Sequence, residues 1–283
     1  MTEHKNGSAA LSGRGVLEIT GPDRKDFLQG LLTNDINSLS PGHPLYAAML
    51  TPQGKYLFDF LIFEDGEALY LDCEKARAAD LLRRLTMYKL RARVDIADAS
   101  DKWTVIAAWG SDAITPPDGC ISAEDPRHPD LGLRILCPAE VAMDLSPGDE
   151  TGYNAHRLGL GIPDGPRDFE VEKLLILEGN VAELNGVSFK KGCYVGQELT
   201  ARMNYRGKVR KRLLPVTIDG ALPEPGTAIV KDGKQLGDIR SGQGSRAIAL
   251  LRVEDIEDGG TYECGDARVT VHVPEWLRDK VNP

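Results

Sequence analysis

The chain has 283 residues, of which 41% are hydrophobic and 27% are charged, and its formal net charge is −9. This composition is typical of a soluble globular protein and excludes a disordered chain, while the length allows two or three domains. No apolar run reaches the roughly 18 residues of a membrane-spanning helix, and the polar N-terminal stretch predicts no secretory signal.

The first half of the sequence alternates strand and helix patterns. Apolar and polar side chains alternate over residues 15–20, which predicts a strand, and Gly21-Pro22-Asp23 then opens a helix because proline is tolerated in a first helical turn. A second helix is predicted over residues 75–87. Further strands are predicted over residues 45–51, 56–63, 68–73, 91–97, 103–109 and 132–136. Residues 115–131 contain four prolines and are predicted to be a loop.

The second half changes from mixed structure to strands alone. A helix is predicted to begin near Tyr153 and to end at Gly161, and residues 164–180 look irregular. A short strand at 187–189, a helix at 195–203 and a strand at 209–218 follow. Short strands between glycine-containing turns fill residues 213–273, which predicts a small β-barrel or sandwich.

The cysteine and histidine spacing excludes several metal sites. The five cysteines are odd in number, no pair forms a CxxC motif, and the shortest gap between two of them is 17 residues. Zinc ribbons and thioredoxin-type sites are therefore excluded, and reduced thiols in a cytoplasm are expected. The five histidines form no HxxxH pair, so zinc hydrolase chemistry and any other metal site are not predicted.

Positive charge is concentrated in residues 190–212, a segment that we call the basic island. It contains eight Lys and Arg residues against the single acid Glu198, a local charge of +7 in an acidic chain. Such a concentration indicates an anionic ligand or partner. The alternative is a solvated surface whose bases pair with acids elsewhere, and charge alone does not decide between the two. The bases are Lys190, Lys191, Arg202, Arg206, Lys208, Arg210, Lys211 and Arg212.

The stretch KKGCYVGQE places Cys193 within this island. Cys193 is predicted to lie at or just before a helix N-terminus, where the helix dipole, Lys190 and Lys191 would favour the reactive thiolate. Gly192 and Gly196 would allow the backbone to approach a ligand closely. The alternative is a small buried cysteine between two turn-forming glycines.

Other enzyme templates are absent, which leaves one carboxylate of interest. The sequence contains no GxxxxGK[ST], GxGxxG or GxSxG motif. Asp59 interrupts the apolar run YLFDFLIF, so it either faces solvent through strand alternation, which is the simpler interpretation, or faces a cleft. The carboxylates of Asp125, Asp130, Glu254 and Asp255 lie in polar loops and are expected to be solvated.

The segment KGCYVGQELTAR closely resembles the signature of the YgfZ family of folate-binding proteins. These are relatives of the glycine cleavage T protein, an aminomethyltransferase that uses tetrahydrofolate. The continuation MNYRGKVRKRLLPV looks most like the branch that contains the mitochondrial iron–sulfur assembly factor. The segments GPDRKDFLQGLLTNDI, MLTPQGKYLFDFLIF, YKLRARVDIAD and HRLGLGIPDG are also similar to the family, so the resemblance spans nearly the whole chain.

This resemblance implies an α+β, T-protein-like architecture. Residues 1–212 would form two interleaved α/β domains with antiparallel sheets, and residues 213–283 would form a C-terminal β-barrel. The three units would surround a central hole that binds tetrahydrofolate. The anionic glutamate tail of folate would then account for the basic island.

The resemblance also implies site residues and two departures from the T protein. Cys193 and Asp59 are the implied catalytic residues. The implied folate-binding residues are Arg14, Tyr153, Lys191, Tyr194, Gln197 and Arg202. However, Phe58-Asp59 stands where the T protein has two aspartates, and Gly159 stands where it has a pterin-binding glutamate. Both departures disfavour aminomethyl transfer of the T-protein type.

The sequence thus predicts a cytoplasmic, tetrahydrofolate-binding protein that acts in the assembly or repair of iron–sulfur enzymes. Cys193 would serve in redox exchange, as a transient iron ligand, or in protecting a cluster partner, and the protein partners would be iron–sulfur assembly proteins or client enzymes. A folate-dependent one-carbon transferase that uses Asp59 is the alternative. A nucleic-acid-binding or tRNA-modification role for residues 202–212 is disfavoured by the acidic remainder of the chain.

Overall fold

The computed structural model describes residues 6–110, 114–141, 149–207 and 209–281. The α-helices in this part of the chain are α1 (Arg24–Gln29), α2 (Ala78–Lys89), α3 (Glu150–Leu160), α4 (Gly165–Asp168), α5 (Gln197–Arg206) and α6 (Arg278–Val281). The strands are β1 (Gly7–Ala10), β2 (Arg14–Thr20), β3 (Leu45–Leu50), β4 (Tyr56–Asp65), β5 (Ala68–Glu74), β6 (Asp95–Asp98), β7 (Trp103–Trp109), β8 (Ile121–Glu124), β9 (Leu133–Pro138), β10 (Lys211–Asp219), β11 (Ala228–Lys231), β12 (Lys234–Gln243), β13 (Arg246–Arg252), β14 (Thr261–Cys264) and β15 (Ala267–Val271). None of the helices in these ranges is both long and apolar enough to cross a membrane.

Two antiparallel sheets are built from interleaved parts of the chain. One has five strands in the order β3-β4-β5-β2-β6, and the other has four in the order β1-β7-β9-β8. Strand β1 pairs with β7, with Gly7 opposite Trp109, before β2 enters the five-stranded sheet. The N-terminal segment, which sequence analysis treated only as a polar terminus, therefore links the two sheets.

The five-stranded sheet is covered on both faces. On one face, Leu28 of α1 and Leu81 and Leu85 of α2 pack on Leu17 and Ile19 of β2. The opposite face joins a central core shared with the four-stranded sheet, α3 and the barrel. Strand β4 is therefore buried along nearly its whole length, and polar side chains on it face protein rather than water.

Strands β10 to β15 close into a barrel in the order β10-β13-β12-β11-β14-β15. Side chains along β10 alternate between two cores, because Leu214 and Val216 point into the barrel while Leu213 joins the central core. The barrel is thus an integral wall of the central core, and of the two folds predicted for this segment the barrel is the one observed.

Two predicted elements differ from the structure because distant pairing decides them. The predicted loop at 115–131 contains β8, which gains its hydrogen-bond partner from β9. The predicted strand at 187–189 is absent, and the Ser188 N–H instead donates to the carbonyl of Thr33 at 3.0 Å.

The cysteines also differ from expectation. Cys120 and Cys137 form a disulfide across the segment that contains β8 and β9, so the expectation of reduced thiols is wrong for this pair. Cys73 and Cys264 are free and buried, whereas Cys193 is free and exposed.

Candidate functional site

Residues 190–196, which we call the Cys193 loop, present one thiol at the surface. Cys193 is exposed, whereas its neighbours Lys191 and Tyr194 are buried. Within the described residues no other free cysteine reaches the surface. The interpretation of Cys193 as a buried packing residue is therefore wrong.

Lys191 anchors this loop to the segment that follows α1. Its Nζ donates to the carbonyl oxygens of Gln29 at 2.7 Å, Leu32 at 2.8 Å and Asn34 at 2.7 Å. An ammonium group has three N–H donors, so all of them are satisfied. Burial lowers the pKa of Lys191 to about 8. The ammonium thus holds backbone in place, and a ligand would have to compete with three carbonyl groups for it.

The other end of the loop is fixed by backbone contacts. The Val195 N–H donates to the carbonyl of Gly30 at 3.1 Å. Gly196, the N-cap of α5, has φ 83°, and a Cβ at this position would lie 2.5 Å from the carbonyl oxygen of Thr51. Only glycine fits this conformation and this close approach. Cys193 therefore lies on a braced loop, four residues before the first helical residue of α5.

Three further predicted ligand residues lie in the loop or on α5, the helix that follows it. Tyr194 is buried, and burial raises its pKa to about 12. Gln197 begins α5, and its backbone N–H donates to the carbonyl of Tyr194 at 3.2 Å. Arg202 is exposed on the same helix and forms a 2.6 Å ion pair with Glu198. Tyr194 thus adjoins Cys193 in the loop, and Gln197 and Arg202 lie on the helix that follows it.

The basic island is less free than its charge suggests. Arg212 is buried and forms a 3.0 Å ion pair with Glu183, and the Arg202 and Lys191 side chains are engaged as described. Lys208 lies outside the described residues. Arg212 therefore follows the interpretation that the bases pair with acids elsewhere, whereas Lys191 bonds to backbone carbonyls and Arg202 pairs with Glu198 inside the island.

Arg14 and Tyr153 meet in a different place, which we call the central pocket. Its wall is formed by β2, β9, α3 and the segment around α4. The cavity volume is about 10 Å³. The lining residues are Leu11, Arg14, Arg134, Glu150, Tyr153, Asn154, Arg157, Asp164 and Arg167. None of them belongs to the Cys193 loop.

Both predicted residues are already bonded to protein groups in this pocket. Arg14 donates from Nε to the Asp72 carboxylate at 2.7 Å and from Nη2 to the Asp72 carbonyl at 2.7 Å. Burial alone would lower the pKa of Arg14, but the carboxylates of Asp72, Asp164 and Asp59 raise it. The Tyr153 hydroxyl accepts hydrogen bonds from two guanidinium groups, at 3.1 and 3.0 Å.

Those two guanidinium groups belong to Arg127 and Arg134, which share the carboxylate of Asp125. Arg127 donates to it at 2.9 and 2.7 Å, and Arg134 donates at 3.4 Å. Burial acts to raise the pKa of Asp125, but the two guanidinium groups hold it below its usual value. Asp125 is 3% exposed, so the expectation that it is solvated is wrong. Sequence analysis missed both arginines, and no local pattern in the sequence marks them.

A second buried ion pair joins α3 to α4, and a hydrogen bond from the same arginine reaches the barrel. Arg157 donates to the Asp168 carboxylate at 3.2 Å and to the Ser241 hydroxyl of β12 at 3.0 Å. Burial acts to raise the pKa of the nearby Asp164. Positively charged arginines, of which Arg157 has the largest effect, nevertheless hold this pKa far below the usual range. The only hint of these residues in the sequence was the family-like segment HRLGLGIPDG.

Asp59 lies on β4 between two tyrosines. Its carboxylate accepts hydrogen bonds from the hydroxyls of Tyr56 at 2.6 Å and Tyr46 at 3.1 Å. Burial raises the pKa of Asp59, with the Tyr56 hydrogen bond opposing this. At 7% exposure it does not face solvent, so the simpler interpretation of its position is wrong. It is also not among the side chains that line the central pocket.

The described residues therefore contain two candidate sites, a surface thiol on a braced loop and a buried network of ion pairs. No group of three or more His, Cys, Asp or Glu side chains in these ranges is placed to hold a metal ion. A metal centre built by this part of the chain alone is not supported.

Comparison with known proteins yields two family models. The model described as "GCVT N-terminal domain" matches residues 2–115, and the model described as "CAF17, C-terminal beta-barrel domain" matches residues 210–279. The second range agrees with the observed barrel, whose first strand begins at Lys211.

Curated relatives cover almost the whole chain. The mouse protein named "Iron-sulfur cluster assembly factor IBA57, mitochondrial" is 34% identical over 301 residues, covering 94% of this chain and 84% of the relative. The human protein of the same name is 35% identical over 299 residues, with the same coverage. These relatives are named as mitochondrial, which contradicts the expected cytoplasmic location. Their names give no support to a role in tRNA modification.

Among solved structures, the aminomethyltransferase T of the glycine cleavage system from Bartonella henselae matches with a TM-score of 0.77. The match covers 99% of this chain and 88% of that chain at 14% sequence identity. The fold is therefore T-protein-like, as predicted. At this identity the likeness speaks for the fold alone.

Proposed function

The chain belongs to the family of the IBA57 iron–sulfur cluster assembly factors, and we propose that it takes part in iron–sulfur cluster assembly through the thiol of Cys193. The observation that carries this proposal is the exposure of a free cysteine on a loop braced by Lys191 and Gly196. Cysteine thiolates are the usual ligands of iron–sulfur clusters. A fixed, accessible thiol is therefore suited to contact a cluster as cargo.

Cys193 would contribute one ligand to a shared cluster. A cluster of the [2Fe–2S] or [4Fe–4S] type takes four protein ligands, and the described residues offer no further metal-ligating group of three or more side chains. The remaining ligands would come from a partner assembly protein or client enzyme. An intramolecular redox role has less support, because Cys73 and Cys264 are buried and offer Cys193 no accessible partner thiol in the described chain.

A complementation experiment tests this proposal. Cells that lack the gene are supplied with the wild-type chain, Cys193→Ser or Lys190→Met, and aconitase activity, which depends on a [4Fe–4S] cluster, is measured under oxidative stress. We expect the wild type and Lys190→Met to restore activity and Cys193→Ser to fail at equal protein level. Restoration by Cys193→Ser would overturn the role of the thiol.

The T-protein-like fold supports tetrahydrofolate as a second ligand, held in the central pocket. Among its lining side chains, Nε and Nη1 of Arg134 are buried without a hydrogen-bond partner, and Nη1 lies 3.6 Å from Oδ2 of Asp72, which does not line the pocket. The Arg134 N–H donors would suit acceptor atoms on the edge of a pterin, and Arg14 and Arg167 would face its anionic tail. When bound, tetrahydrofolate would supply a one-carbon carrier.

The pocket as observed is smaller than a folate. Ligand pockets usually enclose about 300–1,000 Å³, whereas this space accommodates little more than a water molecule. At Gly159, where the T protein has its pterin-binding glutamate, a Cβ would lie 2.5 Å from Nη1 of Arg246. Because the space is so small, binding would require lining side chains such as Glu150 and the exposed Arg167 to move outward.

Calorimetric titration with tetrahydrofolate tests the ligand and its place together. We expect heat of binding with the wild type and with Cys193→Ala, and loss of binding with Arg134→Met. Loss with Cys193→Ala but not with Arg134→Met would place the folate at the loop instead. No binding to the wild type would remove folate from the proposal and leave the role of the thiol standing.

The alternative of a folate-dependent transferase has weaker support. Both carboxylate oxygens of Asp59 are engaged by tyrosine hydroxyls, and Asp59 does not line the central pocket. A general base must reach the proton that it removes. Turnover of an aminomethyl donor that is lost in Asp59→Asn, with folate binding retained, would revive this alternative.

A further inference from the structure

The C-terminal end of α2 exposes two large apolar side chains close together in sequence. Met87 is 68% exposed and Leu90 is 88% exposed. In the described chain, the only other large apolar or aromatic side chains that are exposed are Tyr205 and Leu222. The rest of α2 is conventional, since Leu81 and Leu85 on its inner face are fully buried. Exposure at the end of the helix is thus local and does not reflect a poorly packed helix.

Leu90 also has an unusual backbone conformation. It ends α2 with φ 43° and ψ −106°, a region that is accessible to glycine but strained for a branched apolar residue. The other non-glycine residues with positive φ are Glu172, Asn180, Asn185 and Asp232. Glycine is the usual residue just beyond a helix. Leucine at this position has a strained backbone, and its side chain is not buried. Folding stability therefore does not explain its presence.

Positive charge surrounds these two side chains. Residues 75–93 contain seven Lys and Arg against the single acid Asp80, although Lys89 pairs with Asp95 at 3.5 Å and Arg93 pairs with Asp23 at 2.8 Å. Arg83 pairs only with Asp80 on the open surface, where both side chains are mostly exposed. Arg91 is exposed and forms no ion pair within the described ranges. This second basic region is independent of the basic island at 190–212.

An open groove lies at the same end of α2, although Met87 and Leu90 do not line it. It has a volume of about 200 Å³ and is shared by the end of α2, through Thr86 and Lys89, and by β2 and β6. Strand β6 is the last strand of its sheet and pairs only with β2, so its outer edge has no strand partner in the described chain. The apolar pair and the bases lie toward the same end of α2 as the groove. We call this region the α2 surface and define it by Arg83, Met87, Leu90 and Arg91.

We propose that the α2 surface docks a partner protein through a segment that carries an apolar side chain flanked by carboxylates. The apolar side chain would pack on Met87 and Leu90, and the carboxylates would pair with Arg83 and Arg91. Complementary charge of this kind selects partners and speeds their association. This inference is independent of the thiol chemistry, because the α2 surface shares no residue with the Cys193 loop.

The acidic side of the groove decides between a protein and a polyanion. Glu18 and Asp95 line it, and Asp98 is exposed on the same strand. Asp95 pairs with Lys89 at 3.5 Å and Glu18 lies 4.0 Å from Lys102, so the groove presents charges of both signs. A nucleic acid or an anionic membrane presents continuous negative charge and does not match such a mixed surface. A protein segment presents discrete charges of either sign, so it can match the bases and avoid the acids.

Site-specific photo-crosslinking in cells tests the proposal. A photoreactive amino acid replaces Met87 in the full-length chain, and the control replaces Leu222 on the barrel surface. We expect one discrete protein adduct from position 87, with an acidic crosslinked peptide, at least tenfold stronger than from position 222. The double variant Arg83→Glu/Arg91→Glu should remove this adduct while leaving the melting temperature unchanged.

Other outcomes would overturn the docking of an acidic protein segment. They are equal adducts from positions 87 and 222, an adduct that persists after charge reversal, and an adduct with lipid or RNA. Sedimentation with vesicles of phosphatidylcholine and phosphatidylserine provides a direct check, since the proposal expects the chain to stay in the supernatant.

The variant Leu90→Gly separates docking from folding. Relief of the backbone strain should raise the melting temperature by roughly 2–4 °C, while the loss of the leucine side chain should weaken the adduct several-fold. A variant that is more stable but docks less well is not explained by a structural role for Leu90. A lower melting temperature with an unchanged adduct would show that Leu90 serves the fold and would sink the proposal.

Discussion

The central pocket and the Cys193 loop use their polar groups in opposite ways. In the pocket, guanidinium groups and carboxylates satisfy one another, as Arg127 and Asp125 do at 2.7 Å, and together they join both sheets, α3 and the barrel. In the loop, Lys191 and Gly196 fix the backbone while the thiol itself stays exposed. We conclude that the pocket chiefly holds the architecture and that the loop chiefly presents a reactive group.

The largest effect is expected from breaking an ion pair in the pocket. Asp125→Asn leaves Arg127 and Arg134 buried beside a neutral group, which should lower the free energy of unfolding by about 3–5 kcal/mol. Urea unfolding measures this change, and Asp130→Asn, on a mostly exposed side chain of the same loop, should change it by less than about 0.5 kcal/mol. Equal effects of the two variants would contradict an architectural role for the pocket.

The same variant predicts a pH dependence. Because the pKa of Asp125 lies below its usual value in the folded protein, its stabilisation is complete at neutral pH and is lost as pH falls through the folded pKa. The stability difference between wild type and Asp125→Asn should therefore shrink below about pH 4.

An intermediate effect is expected where the loop is anchored. Lys191→Met removes the donors to the carbonyls of Gln29, Leu32 and Asn34 and should cost about 1.5–3 kcal/mol. Hydrogen exchange should also speed up at Val195, whose N–H is bonded to Gly30. The adjacent, exposed Lys190 provides the control, because Lys190→Met should leave both measurements unchanged. Matching results for the two lysines would mean that the loop is not braced by Lys191.

Asp59 differs from Asp125, because the pKa of Asp59 is raised in the folded protein whereas that of Asp125 is lowered. Burial raises the pKa of Asp59 in the folded protein, so the neutral form is favoured, and stability from this group falls as pH rises through the folded pKa. Asp59→Asn, a neutral substitute, should change stability by less than about 1 kcal/mol in acid and should gain relative to wild type toward neutral pH. Urea unfolding across this range checks the sign, and a loss with rising pH would show that ionised Asp59 is stabilised.

What could be predicted from the sequence depended on how local the cause is. The barrel strands were marked by glycine turns and alternating side chains, and Trp103–Trp109 was predicted with its exact bounds. Asp59 was misjudged because both faces of its strand are covered by elements distant in sequence. Lys191 was predicted as a ligand residue, but its acceptors lie about 160 residues away and leave no local trace. For the same reason, no pattern in the sequence marked the pairing of Asp125 with Arg134.

The smallest effect on stability is expected at the thiol itself. Cys193→Ser changes an exposed sulfur to oxygen, so the free energy of unfolding should stay within about 0.5 kcal/mol of wild type. The same change at Cys264, which is fully buried in the barrel, places a hydroxyl in an apolar interior and should cost about 1–3 kcal/mol. Urea unfolding of the two variants compares one chemical change in two environments. If Cys193→Ser were as destabilising as Cys264→Ser, the thiol would be part of the architecture, and the division between a structural pocket and a reactive loop would fail.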